Sequence, residues 1–281
     1  MQSGRRAVGG FGVAAMVAAL LVAVVPVAAT AVPAWAPATT ATIHPGVMVT
    51  SPAGQCTANF VFYDSDDVFI GQAAHCTSTG GPTDTDGCLA SSLPLGTPIT
   101  IGGASQPGTL AYNSWIAMAE RGETDADACA HNDFALVRID PADVARVNPS
   151  VPHWGGPVAL ATAGTLTGQK VYSYGNSSLR LGLTLLSPKV GISLGDSAGG
   201  WNTTAYTLTP GIPGDSGSGF LDRSGRALGV LSTVQLLPLP AANGVGNLRL
   251  ELEYLNGEAH DPVRLASGTE PFRPNQLPLG L

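Results

Sequence analysis

The segment Gly214-Asp215-Ser216-Gly217-Ser218-Gly219 sets a serine among small residues. Glycines let a backbone turn tightly and let a substrate come close. They also leave successive N–H groups free to face one point, which suits a developing oxyanion. A serine hydroxyl is a weak nucleophile until a base takes its proton, so such a site needs a histidine and a carboxylate to orient it. Of the five histidines, His75 ends the apolar run from Val68 to Ala74 and directly precedes Cys76. A disulfide at that cysteine would pin the backbone that aims the ring. Asp133 opens a second apolar run, Phe134 to Val137. A carboxylate at the lip of a buried strand can hold an imidazole in one tautomer. His44, His131, His153 and His260 have no comparable company and read as surface residues.

Three segments in the order His, Asp, Ser now stand together: Ala73-Ala74-His75-Cys76, Asn132-Asp133-Phe134-Ala135-Leu136 and Gly214-Asp215-Ser216-Gly217-Ser218-Gly219. They resemble the chymotrypsin–trypsin family of serine proteases. The likeness is greatest to bacterial secreted members, whose serine motif often carries Ser at the position of Ser218. It covers roughly residues 44–258. The resemblance implies an all-β fold of two six-stranded antiparallel β-barrels packed together, the first carrying His75 and Asp133, the second Ser216. It implies a secreted serine endopeptidase working through an acyl-enzyme, with no cofactor and no metal. Ser216 would be the nucleophile, His75 the general base and then acid, and Asp133 the group that orients His75. The N–H groups of Gly214 and Ser216 would form the oxyanion hole, and Ser232 would lie on the strand beside bound substrate. Cys56 would bridge to Cys76 beneath the histidine, leaving Cys88 to Cys129.

Three departures from the family pattern sharpen the expectation. Trypsin-like members place an acid six residues before the serine, and that position is Pro210 here. Two residues past Ser232, where glycine is common, stands Val234. Both predict a small or medium apolar residue before the scissile bond (P1) rather than Lys or Arg. No Ile/Val-Val-Gly-Gly start precedes Cys56, so Asp215 needs another partner or a different N-terminus.

Two rival readings use other features. Gly195-Asp196-Ser197-Ala198-Gly199 has the G-x-S-x-G form of an esterase nucleophile elbow, with Asp222 and His260 following. The elbow requires a helix after the serine, and Trp201-Asn202-Thr203-Thr204 does not read as one. The other rival is a binding protein on an inactive protease scaffold, although no motif residue is missing. Asp84, Asp86, Glu123, Asp125 and Asp127 flank Cys88 and Cys129 and could gather round Ca²⁺, but such acids are more often a solvated surface.

The elements that must position these residues are short. Runs Ala58–Tyr63 and Val68–Ala73 flank Asp64-Ser65-Asp66-Asp67 and predict a hairpin. Strand-like stretches continue at Thr109–Met118, Phe134–Ile139, Leu179–Leu186, Val190–Leu194 and Leu228–Val234, with Arg223-Ser224-Gly225 as a tight turn. Asn247–Glu258 fits either a helix capped by Asn247 or a strand. Residues 1–31 read as a signal peptide: arginines, then apolar residues and Gly from Phe11 to Val25, then Ala29-Thr30-Ala31. Left uncleaved, that segment would anchor the chain in a membrane. Residues 32–43 read as a leader or short pro-segment, 44–147 and 157–270 as two barrels, and 271–281 as a disordered tail. Four cysteines in an exported chain predict two disulfides, with three pairings open on spacing alone. A net charge of −7 with two lysines offers no basic patch for nucleic acid. The expected partners are protein or peptide substrates of a monomeric, extracellular protein.

Overall fold

Runs of Val, Ile, Phe and Thr cut by Gly, Pro and Asp set the strand boundaries in the computed structural model, which describes residues 1, 4, 31–81, 85–235, 241–257 and 261–277. The predicted signal segment, Asp84, His260 and the last four residues lie outside the described residues, apart from isolated positions. The first half forms β1 (Met48–Ser51), β2 (Gly54–Thr57), β3 (Val61–Tyr63), β4 (Val68–Gln72), β5 (Pro98–Ile101), β6 (Gly108–Asn113) and β7 (Ala135–Arg138). They pair antiparallel in the order β3-β4-β7-β6-β5-β1-β2. The predicted hairpin is β3–β4. Asp64 closes its turn by accepting from the N–H groups of Asp66 and Asp67 at 2.9 and 2.8 Å. The second half forms β8 (Lys170–Tyr174), β9 (Pro188–Ser197), β10 (Asn202–Thr207), β11 (Gly219–Leu221), β12 (Ala227–Gln235) and β13 (Ala242–Asn247). These close into a barrel in the order β10-β13-β12-β11-β8-β9. The fold is therefore the expected all-β one, a closed six-stranded barrel beside a second antiparallel sheet.

Phe60, Phe62, Ile70, Ile99, Leu110, Phe134 and Val137 fill the first half and are fully buried. Each such side chain contributes about 1.5–3 kcal/mol through removal from water. Trp154, in the connector between the halves, is equally buried and donates from Nε1 to the Ser173 carbonyl at 2.7 Å.

Local pattern misjudged several elements. Thr109–Met118 reads as one strand, yet β6 stops at Asn113, whose Oδ1 accepts from Trp115 N and Ile116 N at 2.8 and 3.3 Å and starts helix α1 (Ser114–Arg121). A second short helix, α2 (Ala126–His131), is capped by Asp125. Leu179–Leu186 is not a strand but two 3-10 turns, separated by Leu181 and Gly182 at φ 51 and 80. In the ambiguous region helix wins: α3 (Leu248–Asn256) is capped by Asn247. β14 (Arg264–Leu265) leaves the second barrel's expected span and pairs with β3 in the first sheet. Nor are the expected loose ends free of contacts. Ala36 N donates to Val147 O at 2.9 Å and Ile43 is fully buried. Phe272 stands edge-on to Tyr172 at 5.1 Å, because the aromatic ring finds an apolar wall that the Pro-rich composition conceals.

Candidate active site

Strand register brings the first two candidates together. β4 and β7 are antiparallel neighbours with Gln72 opposite Ala135, so the residues just past one strand end meet those just before the other. His75 lies in the 3-10 turn Ala74–Thr77 after β4, and Asp133 lies two residues before β7. The Cys56–Cys76 disulfide ties that turn to β2, and Cys88–Cys129 forms the second predicted bridge. Asp133 is almost fully buried. Its Oδ1 accepts from the His75 backbone N–H at 2.9 Å, and its Oδ2 accepts from His75 Nδ1 at 2.6 Å. Oδ2 also accepts from Ser232 Oγ at 2.6 Å, a contact the sequence reading did not anticipate when it placed Ser232 beside substrate. Burial pushes the Asp133 pKa up, but the His75 charge and these hydrogen bonds outweigh it and hold the carboxyl below its ordinary value. Burial favours a neutral His75, yet the Asp133 charge and hydrogen bond outweigh it and raise the ring's pKa. With 26 % of its side chain exposed, His75 remains reachable from solvent.

The third candidate arrives from the other barrel. Gly217 N donates to Leu231 O at 2.7 Å and Leu231 N to Ser218 O at 2.9 Å, which seats the Ser216 loop on β12. Ser216 O accepts from Thr57 N at 2.8 Å, across to the first sheet. Gly217, at φ 85, is required there: a Cβ would stand 2.7 Å from Thr57 O and 2.9 Å from Ala73 N, two residues from His75. Ser216 is half-buried, and its Oγ makes no hydrogen bond among the described residues. Such bonds tighten on substrate binding.

The N–H groups of Gly214 and Ser216 likewise donate to no acceptor among the described residues. Their directions follow from the planar peptide, in which N–H points opposite to the preceding C=O. The Pro213 carbonyl accepts from Ser177 Oγ at 2.5 Å, and the Asp215 carbonyl from Ser218 N at 3.1 Å. With both carbonyls tied inward, both N–H groups turn outward. Ser177 is a second residue that the sequence reading missed. Gly214 adopts φ 94, where a Cβ would stand 2.5 Å from Gln55 Oε1.

Asp215 is partnered by two cations. Arg180 grips it bidentately, with Nη1 on Oδ1 and Nη2 on Oδ2, and Lys189 Nζ reaches Oδ2 at 3.1 Å. Burial raises the Asp215 pKa, and the Arg180 hydrogen bonds with the Lys189 charge reverse the shift and lower it. Opposite Gly211, Val234 Cγ2 stands 3.3 Å from where a Cβ on that glycine would be. Val234 thus stands close to Gly211 and is about half exposed.

Behind Asp133, Glu251 of α3 is fully buried, and its carboxyl is met by the Asp133 backbone N–H alone, with no cation beside it among the described residues. Burial, and then the Asp133 charge, hold its pKa well above the ordinary value. The folded protein therefore keeps Glu251 protonated where the unfolded chain ionises it. That stability is fully present below pH 4.5 and is lost as pH rises towards the folded pKa. We predict that Glu251→Gln matches the parent in urea unfolding at pH 4. At pH 7.5 it should be more stable by a few kcal/mol, since each pH unit in the window costs the parent up to about 1.4 kcal/mol. An equal difference at both pH values would contradict a buried neutral acid.

The rival residues lie elsewhere in the bonding pattern. Ser197 Oγ accepts from Asn202 Nδ2 at 2.9 Å and ends β9, followed by the 3-10 turn Ala198–Gly200 rather than an elbow helix. Asp222 Oδ1 closes a turn on Ser224 N and Arg226 N. His44, His131 and His153 are half-buried and none bonds to Asp133. Glu123, Asp125 and Asp86 accept from nearby backbone N–H groups, as loop and helix caps do.

No family model matches the chain, and no curated protein matches it by sequence. Among solved structures it is similar to Thermobifida fusca Protease A, with a TM-score of 0.53 at 18 % identity over 80 % of this chain and 99 % of that one. It is also similar to a glutamic acid specific serine protease that uses a histidine triad in substrate binding, with a TM-score of 0.52 at 15 % identity over 80 % and 100 % of the two chains. Identities this low speak for the fold alone. The chain has the fold of the chymotrypsin-like bacterial serine proteases.

Proposed function

We propose that this protein is a secreted serine endopeptidase with Ser216, His75 and Asp133 as its catalytic residues. The observation that carries the reading is the His75 ring held by Asp133 next to a serine loop with two outward, unpaired N–H groups. In the reaction His75 Nε2 takes the proton of Ser216 Oγ as that oxygen attacks the substrate carbonyl. The Gly214 and Ser216 N–H groups receive the oxyanion. Nε2 then passes the proton to the leaving amine, which departs and leaves an acyl-enzyme. Water, deprotonated by the same nitrogen, releases the acid and restores Ser216. Asp133 keeps Nδ1 protonated, so that Nε2 has its lone pair free. Two disulfides support an oxidising compartment.

The P1 preference follows from the slot. Pro210 places no charge where an acid would receive Lys or Arg. Val234 beside Gly211 narrows the slot between residues 210–211 and 232–234, which favours a small or medium apolar side chain. A fluorophosphonate probe, followed by mapping of the labelled peptide, tests the assignment. Label on Ser216 is expected. Label on Ser197 would mean an esterase, and a folded but unlabelled protein would mean a binding role. Sequenced cleavage products should end in small apolar residues, and frequent ends in Arg or Lys would contradict the slot reading.

A further inference from the structure

Lys189 is a fully buried lysine, an uncommon placement for a strongly hydrated cation. An ammonium has three N–H donors, and here all three find acceptors. Nζ lies 3.1 Å from Asp215 Oδ2, 3.1 Å from the Thr209 carbonyl and 2.9 Å from the Pro210 carbonyl. One side chain therefore touches two functional segments. Asp215 precedes Ser216, and its Oδ2 also accepts from Ile212 N at 3.2 Å, closing the turn that presents Gly214 and Ser216. Pro210, preceded by Thr209, is the position that the protease reading gives to the P1 slot.

Arg180 does not duplicate this link. Among the described residues its guanidinium hydrogen bonds all go to Asp215. It rides on a loop whose neighbours Leu179 and Leu181 are 64 % and 89 % exposed. Lys189, by contrast, sits within β9 and is paired with Ser173 of β8 in the closed barrel. Two cations face one carboxylate, so charge neutralisation needs only one of them. The other is free to serve position.

Resting on the protease reading, we propose that Lys189 is a positioning residue that couples the P1 wall to the oxyanion loop, so that the fit of the P1 side chain is felt at Gly214 and Ser216. A substrate that fills the slot sets Thr209 and Pro210, and the ammonium carries that setting to Asp215. Selectivity among P1 residues is then expressed in kcat as well as in KM.

The test is a series of peptide anilides differing only at P1 (Ala, Val, Leu, Phe), with active sites counted by fluorophosphonate labelling. Lys189→Met leaves the Arg180–Asp215 pair intact and frees the two carbonyls. The kcat spread across the series should contract by about tenfold or more, a size in keeping with the cost of small misplacements near a reacting centre. Arg180→Met should lower kcat for every substrate by a similar factor and keep the spread. Lys189→Gln, which offers two donors for the carbonyls without charge, should retain more of the spread than Lys189→Met. An unchanged spread in Lys189→Met, or an equal contraction in Arg180→Met, overturns the coupling. So does loss of the folded circular dichroism signal in both Lys189 variants, which makes the residue one of stability. A parent protein unlabelled at Ser216 overturns the protease reading and the coupling with it. Labelled protein with an unchanged spread overturns the coupling alone.

Discussion

Ser216→Ala will lower kcat for a peptide substrate by about five to six orders of magnitude while changing KM little, because the variant loses the covalent route and keeps the binding surface. Residual turnover of about 10³-fold over water is expected from the oxyanion donors and substrate binding. The fold should be untouched, since Ser216 Oγ makes no hydrogen bond among the described residues. Long-time progress curves on a quenched peptide, with matched thermal melts, measure both. Proteolysis within tenfold of the parent would remove Ser216 from the mechanism.

Asp133→Asn should cost about 10⁴ in kcat through the tautomer of His75. Three donors converge on the Asp133 carboxylate: His75 N, His75 Nδ1 and Ser232 Oγ. An asparagine offers one oxygen and one NH₂ group. Placed at the Oδ2 position, its NH₂ group faces Ser232 Oγ, which can turn to accept, and His75 Nδ1, which accepts only by giving up its proton. The proton moves to Nε2, which can no longer take one from Ser216. The pH profile should shift as well. His75 acts as a base only when neutral, so parent activity falls as pH drops through a pKa raised above the ordinary 6.5. Removing the Asp133 charge leaves burial as the main influence, which lowers the pKa, so the acid limb of kcat/KM should move to lower pH. A variant with parent activity, or with its acid limb at higher pH, would show that Asp133 does not hold the ring.

Much of the site was legible because its requirements are local. A nucleophilic serine needs small neighbours, and Gly214, Gly217 and Gly219 stand beside Ser216. A histidine that must be held still benefits from an adjacent disulfide, and Cys76 is next to His75. A half-buried carboxylate needs an apolar strand behind it, and Phe134 to Val137 follows Asp133. The missed residues share the opposite property. Arg180 hides in a leucine-rich run whose local signal is strand, and it becomes a partner of Asp215 only because that run breaks into turns at Leu181 and Gly182. Ser177 lies just before that run, and its role depends on reaching Pro213 in another segment. Ser232 reads as a substrate-side residue until the packing of the two sheets brings it to Asp133.

By itself the sequence laid out the candidate chemistry: a serine set among glycines, a histidine beside a cysteine and an acid before an apolar run, in a chain of short strands with four cysteines. It left open what pairs with Asp215, since no Ile/Val-Val-Gly-Gly start precedes Cys56. Only the tertiary structure decided which cations hold Asp215, where Ser232 and Ser177 act, and that β14 closes back on β3. The physical reason is the range of the interactions. Backbone turns, caps and apolar runs are written in neighbouring residues, whereas a buried charge takes its counterion from whichever distant segment the closed barrel brings within hydrogen-bonding reach.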